Sequence, residues 1–244
     1  DEPSFFPGRA LAVNDDLVVT TQNVGNESSI NVFDHDGTPV GDGRTAPVRA
    51  GLIAGDRIVL VTLDGDVLEL DPSSGEAASG ESATIAPVRT ATATTSGDRL
   101  VVVGDGGTAL VTDDGSVVAE FVGAAPIVTG LNEFATRTST CVVLVDGVGG
   151  LSVAALDDGS IVAEASLPAD AATTDAVVAS ADGCTAAAPT PDGVRVIDEA
   201  DVTTLGSPGA LRSLSIDAAA AVIATDGRLQ LHPLNASESA DDDT

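Results

Sequence analysis

The chain has no Trp, Tyr, Met or Lys, and only two Cys, two His and five Phe. Each shortage removes a class of function. Without Lys, all ten basic residues are Arg, set against 38 acidic ones, for a formal charge of −28 at pH 7. Nucleic-acid binding needs a basic face as its electrostatic minimum, so that partner class is excluded, and docking on an anionic membrane goes with it. No apolar run approaches the roughly 20 residues a helix needs to cross a bilayer, so no membrane insertion by this segment is expected. Neither a signal peptide nor an initiating Met begins the chain, which reads as a mature region or excised domain with its signal or anchor trimmed. No GxSxG, HExxH or Walker-type motif occurs. Gly104-Asp105-Gly106-Gly107 is a hairpin turn, with no helix after it to receive a phosphate. The Asp-rich turns at Asp64–Asp66, Asp113-Asp114 and Asp157-Asp158 lack the spacing of an EF-hand loop and read as turn chemistry. The two histidines, His35 in a turn and His232 at a strand end, read as solvated side chains, so no metal site is expected. With no nucleophile beside a base and no placed pair of carboxylates, the chain is expected to be neither an enzyme nor a cofactor carrier.

What is present is a strand-turn-strand module. Residues 55–77 read GDRIVLVTLDGDVLELDPSSGEA: an apolar strand from Ile58 to Leu63, a tight Asp64-Gly65 turn, an alternating strand from Val67 to Asp71, and a second turn at Ser74-Gly75. Asp-Gly between two such runs is a strong hairpin signal, because Gly accepts the positive φ of a two-residue type I′ turn. The module returns at 97–121 as GDRLVVVGDGGTALVTDDGSVVAEF. Prolines 7, 47, 87, 126, 168 and 208 fall at intervals of 40, 40, 39, 42 and 40 residues. In the second copy the expected strands are Val48–Ala54, Arg57–Leu63, Asp66–Asp71 and a weaker one near Ala83–Ala86, with each proline marking the passage from one unit's outer strand to the next unit's inner strand. Four short strands per 40 residues, repeated, describe the blade of a β-propeller. The expected fold is therefore all-β: a six-bladed β-propeller of four-stranded antiparallel blades, one domain over residues 1–234. Residues 235–244 form an acidic tail, and Ser4-Phe5-Phe6 close the ring as the last blade's outer strand.

The segments Leu68-Glu69-Leu70-Asp71-Pro72-Ser73-Ser74-Gly75-Glu76, Ala155-Leu156-Asp157-Asp158-Gly159-Ser160-Ile161-Val162 and Val32-Phe33-Asp34-His35-Asp36-Gly37-Thr38 share an alternating strand, an Asp, a turn ending in Gly and an outer strand. In this they resemble the PQQ-like repeat of the quinoprotein propeller superfamily, over most of the chain. Members of that family dock neighbouring blades with an outer-strand Trp, and this chain has none. The eight blades, vicinal Cys pair and cofactor-covering Trp of the quinoprotein dehydrogenases are missing as well. The resemblance implies the non-enzymatic branch, similar to the propeller lipoprotein of outer-membrane assembly, in which the fold is a binding platform.

Cys141 and Cys184 lie about one period apart, each opening the second strand of its unit. Equivalent positions on adjacent blades tend to lie beyond the roughly 7 Å Cα separation a disulfide tolerates, yet unequal preceding loops leave room for a shift, and exported proteins with two Cys usually pair them. A disulfide and two buried inert thiols both stay open. Arg9, Arg49 and Arg89 each stand two residues after a grid proline, and Arg212 four after Pro208. Lining the inner strands, the four would gather at one channel mouth, where Arg suits bidentate recognition of a carboxylate or phosphate. The plain alternative is that they pair with acidic neighbours or line a hydrated funnel. The expected function is a non-catalytic, extracytoplasmic binding or scaffold module, a monomer that contacts a protein partner through one propeller face. The other reading is capture of a small anionic ligand at the arginine-lined funnel.

Overall fold

The Asp- and Gly-bearing turns and the short apolar strands fold as successive antiparallel meanders. The computed structural model describes residues 7–54, 57–94, 98–126, 128–129, 133–134, 140–146, 148–167, 177–180, 184–190, 193–197, 202–206, 211–216, 220–225 and 228–233. Phe5-Phe6, Pro168, Pro208 and the tail at 235–244 lie outside the described residues. The regular structure is all β, and the chain divides into two compact units, residues 1–124 and 125–244.

The first unit holds three sheets, each a sequential four-stranded meander. They are β1 (Arg9–Val13), β2 (Leu17–Val24), β3 (Glu27–Asp34) and β4 (Pro39–Thr45); β5 (Val48–Ala54), β6 (Arg57–Thr62), β7 (Asp66–Leu70) and β8 (Ala77–Ser82); and β9 (Val88–Ala93), β10 (Arg99–Gly104), β11 (Gly107–Thr112) and β12 (Val117–Val122). The fourth sheet, at the start of the second unit, has the order β13 (Ala124–Pro126), β16 (Cys141–Asp146), β17 (Gly150–Ala155) and β18 (Ile161–Ser166). Between β13 and β16 the chain inserts a ribbon of β14 (Val128–Thr129) and β15 (Glu133–Phe134), an element the 40-residue repeat does not announce. A fifth sheet follows, of β19 (Val178–Ala179), β20 (Ala186–Thr190), β21 (Gly193–Ile197) and β22 (Val202–Gly206). The last sheet has three strands among the described residues, β23 (Leu211–Ile216), β24 (Ala220–Thr225) and β25 (Arg228–Pro233).

Within each unit, consecutive sheets stack face to face, and alternation along the middle strands serves both faces. In β6, Ile58 and Leu60 pack with Val19, Ile30 and Val32 of the first sheet, whereas Val59 and Val61 pack with Leu100, Val102 and Val111 of the third. A strand covered on both sides reads as an unbroken apolar run, which is why β6 and β10 stand out in the sequence. In the second unit, Val143, Val145, Leu151 and Val153 meet Ala179, Ala186, Ala188 and Ile197 of the fifth sheet, and Val194 and Val196 meet Ile216 of the sixth. Sequential four-stranded meanders stacked on their broad faces, with β1, β5 and β9 adjacent as the opening strands, are propeller blades.

Two details of the second copy differ from expectation. Its outer strand is β8, Ala77–Ser82, not Ala83–Ala86. All six residues of β8 are exposed, so no buried alternation marks it, while Ala83 and Ile85 are buried outside any strand and draw the eye as apolar residues. The Asp64-Gly65 turn is also not a two-residue type I′ connection: Val61 pairs with Val67, and Leu63-Asp64-Gly65 span the gap with the Gly65 N–H bonded to the Thr62 carbonyl. The two-residue connection occurs in the third sheet, where Gly104 pairs with Gly107 around Asp105-Gly106.

With no Trp to fill the seams, the first unit docks its sheets by backbone and carboxylate. Gly41 and Gly43 of β4 press on the turn between β7 and β8: a Cβ at Gly41 would overlap the Pro72 carbonyl oxygen, and one at Gly43 that of Gly75. Between the second and third sheets, the Glu120 carboxylate accepts from the Thr84 N–H (2.5 Å) and hydroxyl (2.6 Å). Glu81 in turn accepts from the Val117 N–H at 2.6 Å. Each sheet thus satisfies a neighbour's backbone donor.

Candidate functional site

The turns joining third to fourth strands share one construction. Asp71 accepts from the Ser73 N–H (2.8 Å) and hydroxyl (2.7 Å) and the Ser74 N–H, and the Gly75 N–H closes on the Asp71 carbonyl. In the third sheet Asp114 accepts from the Thr112 hydroxyl and from the Ser116 N–H at 3.0 Å. In the fourth, Asp158 accepts from the Ser160 N–H at 2.8 Å. Donors held against a carboxylate favour its ionised form. Hydrogen bonds from the Ser73 side chain and backbone hold Asp71 below the usual carboxylate range, and those from Ser160 do the same for Asp158. The Thr112 hydroxyl, then the Ser116 N–H, bring Asp114 down to about 2. These aspartates are engaged as turn caps, and among the described residues no group of three or more His, Cys, Asp or Glu is placed to hold a metal ion. The His35 ring lies 2.6 Å from the Asn14 carbonyl oxygen, and His232 lies 3.2 Å from the Gln230 side chain. A shallow groove of about 700 Å³ beside the β7–β8 turn is bounded by Arg57, Glu69, Asp71 and Glu76.

Cys141 and Cys184 form a disulfide with a Cα separation of 5.0 Å, tying the fourth sheet to the fifth. Both cysteines are buried in the cluster between those sheets, with the Thr140 hydroxyl 3.2 Å from the Cys184 sulfur.

The arginines after the grid prolines occupy the starts of the opening strands, and β-bulges set where they point. Val48 pairs with Thr62 and Ala50 with Val61, leaving Arg49 as the extra residue. Val88 pairs with Gly104 and Thr90 with Val103, leaving Arg89 in the same role. In β23, Leu211 pairs with Thr225 and Ser213 with Ala224, so Arg212 holds the corresponding backbone position; its side chain lies outside the described residues. A bulge re-aims its extra residue out of the ladder. In β1 the irregularity comes later, between Ala10 and Ala12, and Arg9 stays paired with Thr21.

Arg9, Arg49 and Arg89 are all exposed, and their surroundings differ. Arg89 is ion-paired with Asp105, a contact that raises its pKa further. The Arg9 guanidinium donates to the Arg49 carbonyl oxygen at 2.7 Å, bridging the opening strands of the first two sheets. The Arg49 guanidinium has no hydrogen bond or ion pair among the described residues. The cause is local: the residue after the bulge partner is Asp105 in the third sheet (after Gly104) and Leu63 in the second (after Thr62). Elsewhere in this unit Arg44 pairs with Glu27 (3.6 Å), Arg57 with Glu69 (3.8 Å) and Arg99 with Asp98 (3.7 Å). The sheet ends that carry Arg9, Arg49 and Arg89 also present Val24 and Val122, 64% and 77% exposed. The opposite ends carry Asp15, Asp16, Asp36, Asp71 and Asp114 with Val13, 60% exposed, while Asp64 and Asp105 share the arginine-bearing ends. The proline grid locates the arginines in the sequence, but the exposed valines are missed, because a Val at a strand end resembles any core Val until the turn is placed.

No protein-family model matches the chain, and no curated protein matches it in sequence. Solved structures do. A eukaryotic initiation factor is similar over 95% of this chain and 64% of its own length, with 11% identity and a TM-score of 0.54. BamB from Moraxella catarrhalis is similar over 91% of this chain and 84% of its own, with 16% identity and a TM-score of 0.46. The WD40 domain of Toxoplasma gondii coronin is similar over 93% of this chain and 67% of its own, with 11% identity and a TM-score of 0.45. At such identities the likeness is one of fold.

Proposed function

We propose that the chain is a non-catalytic binding module that holds a protein partner against the sheet ends bearing Arg9 and Arg49. The observation that carries this reading is the exposure of Val24 and Val122 on the same ends of the first and third sheets as Arg9 and Arg89, in a chain of net charge −28. Exposed apolar residues and Arg presented on the same sheet ends are side-chain types that protein interfaces use. One domain over 1–234, six blades and a monomeric state belong to the same proposal. An extracytoplasmic location is supported by the Cys141–Cys184 disulfide, since such bonds persist in oxidising compartments. A photo-crosslinking residue at position 122, compared with one at position 36 on the opposite end, tests the interface in cells of the source organism. Crosslinks to a discrete protein species from 122 and none from 36 are expected. No adduct from 122, or equal adducts from both, overturns the reading.

A further inference from the structure

Resting on that interface, we infer that Arg49, with Arg9 beside it, is a carboxylate-recognition point for an acidic peptide segment of the partner. Acidic residues outnumber arginines nearly four to one in this chain. Among the arginines described in the first unit, Arg44, Arg57, Arg89 and Arg99 each have a carboxylate within ion-pair distance. Arg9 and Arg49 alone of these have none, and they are neighbours, with the Arg9 guanidinium seated on the Arg49 backbone. A carboxylate brought to this end of β1 and β5 offsets the unpaired positive charge and accepts free guanidinium N–H donors. The third sheet contains the internal version of such a contact, Asp105 on Arg89, so a carboxylate fits a bulge arginine of this fold. Leu63 stands where Asp105 would, which leaves the Arg49 donors to a group from outside. Because the surface elsewhere is strongly anionic, the partner segment is short: a carboxylate or two, flanked by apolar residues. A long acidic tract would be repelled by the rest of the molecule.

The test uses the full chain with isotope-labelled arginine and, as probe, an acetylated and amidated Leu-Glu-Glu-Leu peptide followed through the arginine Nε–H signals. Saturable shifts at Arg49 and Arg9, with those of Arg44, Arg57 and Arg99 unmoved, are expected. Arg49→Ala weakens binding by roughly tenfold or more, and Arg49→Lys, which loses the forked geometry, by severalfold. Leu63→Asp, supplying an internal carboxylate, mimics Arg49→Ala, whereas Asp105→Asn, releasing Arg89, tightens binding. Thermal unfolding followed by circular dichroism establishes that each variant is folded. Uniform shifts at all arginines, no saturation, or unchanged affinity in Arg49→Ala overturns the assignment. Inorganic phosphate matching the peptide's affinity and shift pattern also overturns it, in favour of a small-oxyanion site. If position 122 still crosslinks a protein while the peptide fails, the interface stands without the arginine contact; if both fail, the interface falls too.

Discussion

At the scale of single residues, several acidic side chains of this chain serve its turns. Asp71, Asp114 and Asp158 each close a turn by accepting N–H and hydroxyl donors, and each gains acidity from it. The sign of the linkage follows from the direction of the shift. A carboxyl whose folded pKa lies below its unfolded value near 4 stabilises the fold above that value, and the contribution is lost as pH falls through the folded pKa. For Asp114 the window runs from about 4 down to about 2. Because Asp114 is exposed, solvent screens part of the effect. The urea midpoint of the wild type should therefore fall between pH 5 and pH 2 by more than that of Asp114→Ala. Equal pH dependence in the two proteins would show that the Thr112 and Ser116 contacts do not stabilise the turn.

At the scale of elements, the seams between the sheets of the first unit are closed by backbone and carboxylate contacts. The outer strand β4 carries Gly41 and Gly43 where a bulky residue would hold the sheets apart, and its backbone rests on Pro72 and Gly75. Gly43→Ala should cost about 1–3 kcal/mol, since carbonyl groups cannot rotate aside as a side chain can. Gly25→Ala is the comparison: its backbone is left-handed, but a Cβ there meets nothing within 4 Å. Its cost is limited to about 1–2 kcal/mol of local strain. Denaturant midpoints give both values, and packing strain in Gly43→Ala alone should also perturb the amide signals of Pro72's neighbours and Gly75. These seams explain what could be read beforehand. Strands buried on both faces, β5, β6 and β7, carry their pattern openly, and their starting residues Val48, Arg57 and Asp66 are all found from sequence. The exposed β8 has no apolar code to read, because none of its side chains is selected by a core, and the β14–β15 ribbon falls outside the 40-residue repeat.

At the scale of the whole molecule, the proline grid conveys the repeat because successive copies build four-stranded meanders, five of them complete among the described residues. Pro7, Pro47 and Pro87 precede β1, β5 and β9, and Pro126 ends β13. The polarity of the sheet ends was only half legible. The arginines could be placed by counting from proline, but that Arg49 lacks a carboxylate depends on Leu63 replacing an Asp in three-dimensional register. The disulfide was open from sequence because its geometry depends on connections of unequal length between the fourth and fifth sheets. That bond lies entirely in the second unit and encloses 43 residues of chain. When the protein is stretched from its termini, those residues cannot join the extending thread, which withholds about 150 Å of contour length. Force spectroscopy before and after adding a reductant should recover that increment, and an unchanged final extension would mean the two sulfurs are not joined.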